Sequence, residues 1–164
     1  MKNFTRMTLV LFIVCGAAAG ALAFVNQITK PKIIAQAKLE QSRALKEVLP
    51  EAEEFREVVP GKVWDALAGG ARIGSVIAAV AQGYSGNIGI VIGVGADGAV
   101  AGVKILSQSE TPGLGAKIVE RAFLDQFRGK TAGSIALKKD DPANGAIDAI
   151  SAATISSRAV TNRI

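Results

Sequence analysis

The sequence predicts an α+β domain, a mostly antiparallel sheet packed with helices, behind one N-terminal transmembrane helix. Three observations carry this prediction. The chain starts with an uncharged apolar run, its middle alternates short apolar strands with glycine-rich turns, and its C-terminal part contains helical periodicity. A chain of 164 residues has room for one domain and an additional segment. We therefore expect an anchor at residues 1–29, a helical stalk at 30–50 and a folded domain at 51–164.

The anchor is predicted from an apolar run in which no residue between Arg6 and Lys30 is charged. A helix needs about 20 apolar residues to cross a bilayer, and this run is long enough. A cleavable signal peptide is the alternative, because Ala21-Leu22-Ala23 has the pattern of a cleavage site. We favour the uncleaved anchor, since a helical pattern follows it. Lysines on both sides leave the orientation open, and a cytoplasmic N-terminus with the domain outside is the default.

The stalk is predicted from apolar side chains that recur at helical spacing between charged ones, from Ile33 to Val48. Pro31 is tolerated near a helix start, but it kinks a helix that continues from the membrane. Pro50 ends the stalk.

The first part of the domain is predicted to be an antiparallel sheet, because short apolar strands follow one another through tight turns. Residues 83–87 and 95–98 indicate two of these turns. The strands are expected at residues 58–59, 63–64, 72–82, 88–94 and 99–106.

Residues 93–98 match the G-x-G-x-x-G spacing of a dinucleotide-binding site. In such a site the glycines open a helix, whereas residues 99–106 have the pattern of a strand. We therefore interpret these glycines as part of a hairpin and exclude a Rossmann-type site.

The rest of the domain is predicted to mix loops with short elements. The last helix has room for about two turns, which is short for stable packing, so we expect a longer natural chain or a shortened version. The expected elements are a Gly- and Pro-containing loop at 107–115, an amphipathic helix at 116–128, a strand at 135–137, a turn at 140–145 and the last helix.

Composition excludes several kinds of site. The chain has no histidine, and its only cysteine, Cys15, lies in the apolar run. Histidine-based catalysis, Ser-His and Cys-His pairs, and Cys clusters for zinc or iron–sulfur are therefore absent, and we expect no metal site. The net charge is +5, but the basic residues are spread out and not interleaved with aromatics, which argues against nucleic-acid binding. Redox chemistry would require an organic cofactor.

Residues 148–158 are the candidate site, because small and hydroxyl side chains are concentrated there between Asp148 and Arg158. Ser156 and Ser157 are suited to cap a helix, and the free N–H groups at a helix start bind anions. On these residues alone, a plain serine-rich cap and a phosphate site centred on Thr154 both remain open.

Three motifs occur in order behind the apolar run, at residues 83–88, 110–115 and 148–157. Together they resemble the G subunits of the Rnf ion-translocating electron transport complex. These are related to the C subunits of the sodium-pumping NADH:quinone reductase, and both carry an FMN-binding domain. The resemblance implies FMN esterified through its phosphate to Thr154 by a separate flavin transferase. It implies further cofactor contacts from Ser151, Ser157, Thr111, Gly113, Leu114 and Gly115.

The resemblance also implies a role. The protein would be a covalent-FMN electron-carrier subunit of an ion-translocating oxidoreductase, not catalytic alone. It would lie in the bacterial inner membrane, with its FMN domain on the periplasmic side and the other Rnf-type subunits as partners. The single negative charge of a phosphodiester suits a helix start and the nearby Arg158. Glu110 is a candidate for proton transfer to the flavin.

One residue departs from the family motif, because Ala152 stands where the motif has glycine. Alanine disfavours positive φ, so a backbone that requires positive φ there would be strained. Two alternative functions remain: the FMN-binding subunit of a sodium-translocating NADH:quinone reductase, and a membrane-anchored interaction domain without flavin.

Overall fold

The computed structural model describes residues 2–164, which form two compact units. The first unit ends at Glu40, and the second comprises Gln41–Ile164. Helix α1 spans Lys2–Val48 and contains Pro31. Proline removes one backbone donor without ending this helix, so no break separates the residues assigned to anchor and stalk.

Helix α1 is the one helix among residues 2–164 that is long and apolar enough to cross a membrane. Its most apolar window is entirely exposed. Apolar side chains that no protein atoms cover are suited to lipid, and this agrees with the predicted transmembrane helix.

The second unit contains a five-stranded sheet in which the strand order follows the chain order and all neighbours are antiparallel. The predicted antiparallel sheet is confirmed. Residues 93–98 lie in the fourth strand and the following hairpin turn, where the Gly98 N–H donates to the Gly95 carbonyl over 3.0 Å. The strands are β1 (Glu54–Val59), β2 (Val63–Ala68), β3 (Ala71–Gln82), β4 (Asn87–Gly95) and β5 (Val100–Ser107).

One face of the sheet is covered by the last turns of α1. Leu45 and Val48 are buried against Trp64 and other apolar side chains of that face. Contact is close, because a Cβ atom at Gly93 would lie 2.6 Å from the Val48 carbonyl oxygen. The predicted stalk therefore ends as part of the core of the second unit.

The other face of the sheet is covered by residues 108–164, which we call the C-terminal segment. Its longest regular element is α3, Thr154–Thr161. The segment supplies a set of fully buried apolar side chains to the core on this face, and the Phe123 and Phe127 rings meet edge to face at 5.4 Å. These side chains include Ile118, Phe127, Leu137, Ile147 and Val160.

The predicted continuous helix at 116–128 is wrong. Glu120 has extended backbone angles (φ −71°, ψ 140°) and interrupts it. Three short pieces replace it and bury Ile118, Phe123 and Phe127, whereas Val119 on the predicted apolar face is exposed. The three pieces are a 3-10 turn at Gly115–Val119, helix α2 at Arg121–Leu124 and a 3-10 turn at Asp125–Phe127.

The predicted strand at 135–137 is reduced to a single parallel bridge between Leu137 and Ile147. Both side chains are buried. Their apolar pattern therefore reflects burial in the core and not membership of a sheet.

Candidate functional site

A cleft of about 430 Å³ opens where the three motifs singled out in the sequence meet. The tip of the β3–β4 hairpin, the loop after β5 and the start of α3 each contribute to its wall. The lining residues are Tyr84, Glu110, Thr111, Leu114, Gly115, Ala152, Ala153, Thr154, Ile155 and Ser156.

The predicted contact residues separate into two groups. Thr111, Leu114, Gly115 and Thr154 line the cleft. Gly113, Ser151 and Ser157 are not among its lining residues. Tyr84 and Ser156 also line the cleft; neither is among the predicted contacts, although each lies within one of the three motifs.

The start of α3 differs from the predicted serine cap. The helix begins at Thr154, its N-cap is Ala153, and no side chain caps it. The first N–H with a helical acceptor is that of Ser157, which donates to the Ala153 carbonyl over 3.0 Å. Within residues 2–164, the N–H groups of Thr154, Ile155 and Ser156 have no such acceptor. They lie in the cleft wall and carry the partial positive charge of a helix start, which favours an anion.

Ser157 lies beneath the cleft wall and stabilises the backbone that leads into α3. Its completely buried hydroxyl donates to the Ala153 carbonyl over 2.9 Å and accepts the Ile150 N–H over 3.0 Å. Both contacts are made to the backbone that leads into α3. Ser157 therefore holds the shape of this turn, and its hydroxyl is not directed into the cleft lining.

Ala152 has a φ of +62° and is the one non-glycine residue with positive φ among residues 2–164. The left-handed conformation costs an L-residue with a Cβ about 1–2 kcal/mol. The backbone thus requires glycine-like geometry at the position where the family motif has glycine.

Arg158, predicted to lie near a phosphate, is engaged elsewhere. Its guanidinium donates two hydrogen bonds of 2.6 Å to the carboxylate of Asp140. The hydrogen bond from Arg158 lowers the pKa of Asp140, and it raises the pKa of Arg158 in turn. Arg158 does not line the cleft, so the pair ties α3 to the loop at Asp140.

Glu110 is the buried carboxylate of the site, with 4% of its surface exposed. It accepts hydrogen bonds from the Ser156 hydroxyl and, over 2.9 Å, from the Ser85 N–H. Burial raises the pKa of Glu110, but hydrogen bonds from Ser156 and from the backbone of Ser85, Tyr84 and Gly86 outweigh it, and the net pKa is lowered. A carboxylate held in its ionised form argues against the predicted role of Glu110 as a proton donor.

The cleft suits a ligand with an anionic group and an apolar body. The helix start offers free N–H groups, while Leu114 and the 72% exposed Tyr84 offer apolar surface. No cluster of metal-ligating side chains occurs in the described part of the chain.

Comparison with known proteins agrees with this chemistry. Residues 83–164 match the FMN-binding domain, and residues 1–48 match the RnfG N-terminal region. The chain is 33% identical to the G subunit of the Na(+)-translocating ferredoxin:NAD(+) oxidoreductase complex of Acetobacterium woodii, over 99% of this chain and 89% of that protein. The chain belongs to the G-subunit family of ion-translocating oxidoreductase complexes.

Other members of this family show the same full-length similarity. The G subunit of the proton-translocating ferredoxin:NAD(+) oxidoreductase complex of Clostridium ljungdahlii is 35% identical, over 94% of this chain and 84% of that protein. The G subunit of the ion-translocating oxidoreductase complex of Escherichia coli O157:H7 is 32% identical, over 100% of this chain and 89% of that protein.

Solved structures confirm the fold. The C subunit of the Na(+)-translocating NADH-quinone reductase from Parabacteroides distasonis has a TM-score of 0.52 and 28% identity, and the match covers 61% of this chain and 55% of that one. Shewanella oneidensis NqrC has a TM-score of 0.51 at 21% identity, over 69% and 64% of the two chains, and shows the fold alone.

Two general properties follow for this G-subunit family member. Residues 83–164, which contain the whole cleft lining, form an FMN-binding domain. The exposed apolar helix α1 and the family together make the protein membrane-associated.

Proposed function

We propose that this protein is the FMN-carrying electron-relay subunit of a membrane-bound, ion-translocating oxidoreductase complex, with its FMN joined through the phosphate to Thr154. The supporting family relationship extends over the full chain, from the membrane helix to the FMN-binding domain. The other subunits of the complex would be its partners. It transfers electrons between them and is not an enzyme alone.

The assignment of Thr154 as the attachment site rests on which hydroxyl groups at the start of α3 already have hydrogen-bond partners. The Ser156 hydroxyl is committed to Glu110, and the Ser157 hydroxyl to the backbone. The Thr154 hydroxyl has no hydrogen-bond partner within residues 2–164, and it lies in the cleft at the first turn of the helix. An ester at this oxygen would place a phosphate next to the free N–H groups.

The residues present fit FMN. The N–H groups of Thr154, Ile155 and Ser156 would hold the phosphate, and the apolar surface of Leu114 and Tyr84 would hold the ring. When bound, FMN supplies one-electron transfer. The protein attaches the cofactor, orients it and sets its electrostatic surroundings.

Attachment would follow the chemistry that the family resemblance implies. A flavin transferase would move the FMN phosphoryl group of FAD to the Thr154 oxygen. The new P–O bond would form at that oxygen, the bond to the AMP portion of FAD would break, and the threonine proton would leave with AMP. A covalent bond would keep the cofactor on a domain facing the periplasmic side, where free FMN is scarce.

The location proposed is the bacterial inner membrane, crossed once by α1. Lys2 and Arg6 precede the apolar run, which suits a signal anchor with the N-terminus in the cytoplasm.

A second candidate is an FMN-binding subunit of a sodium-translocating NADH:quinone reductase, favoured by the structural likeness to the P. distasonis protein. Co-purification separates the two, because each complex has its own partner subunits. The third alternative, an interaction domain without flavin, is distinguished from both by the flavin-attachment experiment described next.

The test is expression of the full chain with a flavin transferase, followed by denaturation. We expect flavin fluorescence on the gel and a mass gain of one FMN less one water. Thr154→Ala should abolish both signals. Thr131→Ala, which removes an exposed threonine hydroxyl outside the cleft, should retain them. A wild-type protein without the adduct would overturn the flavin proposal, and an adduct on Thr154→Ala would overturn the assignment of the site.

A further inference from the structure

Glu110 is the one charged side chain that lines the cleft. Its hydrogen-bond donors come from the other two motifs: backbone N–H groups at the tip of the β3–β4 hairpin, and the Ser156 hydroxyl in α3. The backbone of Glu110 is also fixed, because its N–H donates a hydrogen bond of 2.6 Å to the Gln108 side-chain oxygen. All three motifs therefore converge on one carboxylate.

Two glycines make room for this carboxylate. A Cβ atom at Gly83 would lie 2.4 Å from one carboxylate oxygen, and a Cβ atom at Gly115 would lie 2.8 Å from the other. Contacts this short do not occur with real side chains, so both positions exclude anything larger than glycine while Glu110 stays in place. Gly83 and Gly115 therefore both allow the protein backbone to pack closely around the Glu110 carboxylate.

The charge of Glu110 has no formal counter-charge. Its hydrogen-bond partners are neutral donors, and none of the ion pairs found among residues 2–164 includes it. The cleft lining contains no lysine or arginine. Hydrogen bonds spread a negative charge but do not cancel it, and interactions between charges are strong where water is partly excluded.

We propose that Glu110 sets the reduction potential of the cofactor, acting as a fixed negative charge in the cleft wall that lowers this potential. The inference rests on the proposed function, since it requires flavin in the cleft. Reduction adds an electron to the bound group. A nearby fixed negative charge raises the free energy of the more negative state, so reduction becomes less favourable.

The structure also predicts the opposite effects of two substitutions. Glu110→Gln removes the charge but keeps the shape and one acceptor oxygen. Ser156→Ala keeps the carboxylate and removes the hydroxyl that shares its charge. The first variant should raise the potential, and the second should lower it.

The experiment is a redox titration of the full chain, loaded with FMN by a flavin transferase and followed by flavin absorbance at about pH 8, where carboxylates are ionised. In Glu110→Gln we expect the one-electron reduction equilibrium to shift by about tenfold toward the reduced form, or about 59 mV for a one-electron couple. Glu54→Gln is the matched control, since it removes an exposed carboxylate on β1 outside the cleft. It should leave the potential unchanged.

The outcomes separate the two proposals. A wild-type chain that takes up no flavin contradicts the proposed function. A loaded Glu110→Gln variant whose potential equals that of wild type overturns the role of Glu110, as does an equal shift in Glu54→Gln. If Glu110→Gln does not fold, Ser156→Ala decides, and an unchanged or raised potential there overturns the proposal.

Discussion

The sheet at residues 54–107 and the C-terminal segment at residues 108–164 are built on different principles. In the sheet, backbone hydrogen bonds follow from strand pairing, and each strand pairs with its neighbour in the chain. In the C-terminal segment, many backbone groups are held by side chains, as when the Ser157 hydroxyl bonds Ile150 and Ala153. All of the cleft lining except Tyr84 comes from this second region.

The difference shows where a binding site can form. A paired strand has used its N–H groups, whereas an irregular segment can leave some of them free at the surface. The three free N–H groups at the start of α3 are available because no side chain caps that helix. The sheet supplies a rigid support, and the C-terminal segment supplies the chemistry.

The largest effect on stability is expected where the C-terminal segment packs against the sheet. Phe127 is completely buried in the shared core. Phe127→Ala should lower the free energy of unfolding by about 3–5 kcal/mol, because it removes apolar contacts and leaves a cavity. Chemical denaturation measures this, and the more conservative Phe127→Leu should cost much less. If Phe127→Ala lowers the free energy of unfolding by less than about 1 kcal/mol, Phe127 does not stabilise the packing of the segment on the sheet.

The second-largest effect on stability is expected at Gly83, which lies against Glu110. Gly83→Ala places a Cβ against the carboxylate and 2.8 Å from Cδ1 of Ile88, and it should cost about 1–3 kcal/mol of stability. Gly86→Ala is the matched control in the same turn, since its Cβ would meet only Ser109 at an ordinary 3.6 Å. Thermal unfolding of both variants tests the difference. Equal melting temperatures would mean that both Glu110 and Ile88 move aside easily and would contradict the prediction.

A smaller effect of opposite sign is expected at Ala152. Ala152→Gly relieves a left-handed φ, and after the greater chain entropy of glycine is subtracted, stability should rise by about 0.5–1 kcal/mol. Ala153→Gly, with a φ of −133°, has no such strain to relieve and should reduce stability. Denaturant titration compares the two variants, and a loss of stability in Ala152→Gly would contradict the interpretation.

The smallest effect is expected at the exposed pair of Asp140 and Arg158. Because the pKa of Asp140 in the folded protein lies below its ordinary value of 3.8, the pair stabilises the protein above that pH. The contribution disappears as the pH falls and the carboxylate is protonated. Asp140→Asn should therefore melt slightly below wild type at neutral pH, with a difference that shrinks in acid and in high salt. A difference that grows in acid would contradict this.

The fold was largely predictable because its signals are local. The apolar runs of β3 and β4, the glycine turn between β4 and β5, and the uncharged run in α1 each lie within one stretch of sequence. The helix predicted at 116–128 was wrong because apolar spacing does not distinguish one helix from several short turns that bury Ile118, Phe123 and Phe127. The extended backbone at Glu120 decided between them.

The sequence by itself determined the long apolar helix, the antiparallel sheet and the family motif that contains Thr154. Tertiary structure alone decided which residues of that motif face the cleft. Ser157 is turned inward, Arg158 is paired with Asp140, and Ser156 is joined to a carboxylate 46 residues earlier. The physical reason is that a hydroxyl or guanidinium takes the partner that folding brings near, and the spacing of residues in a chain does not specify that partner.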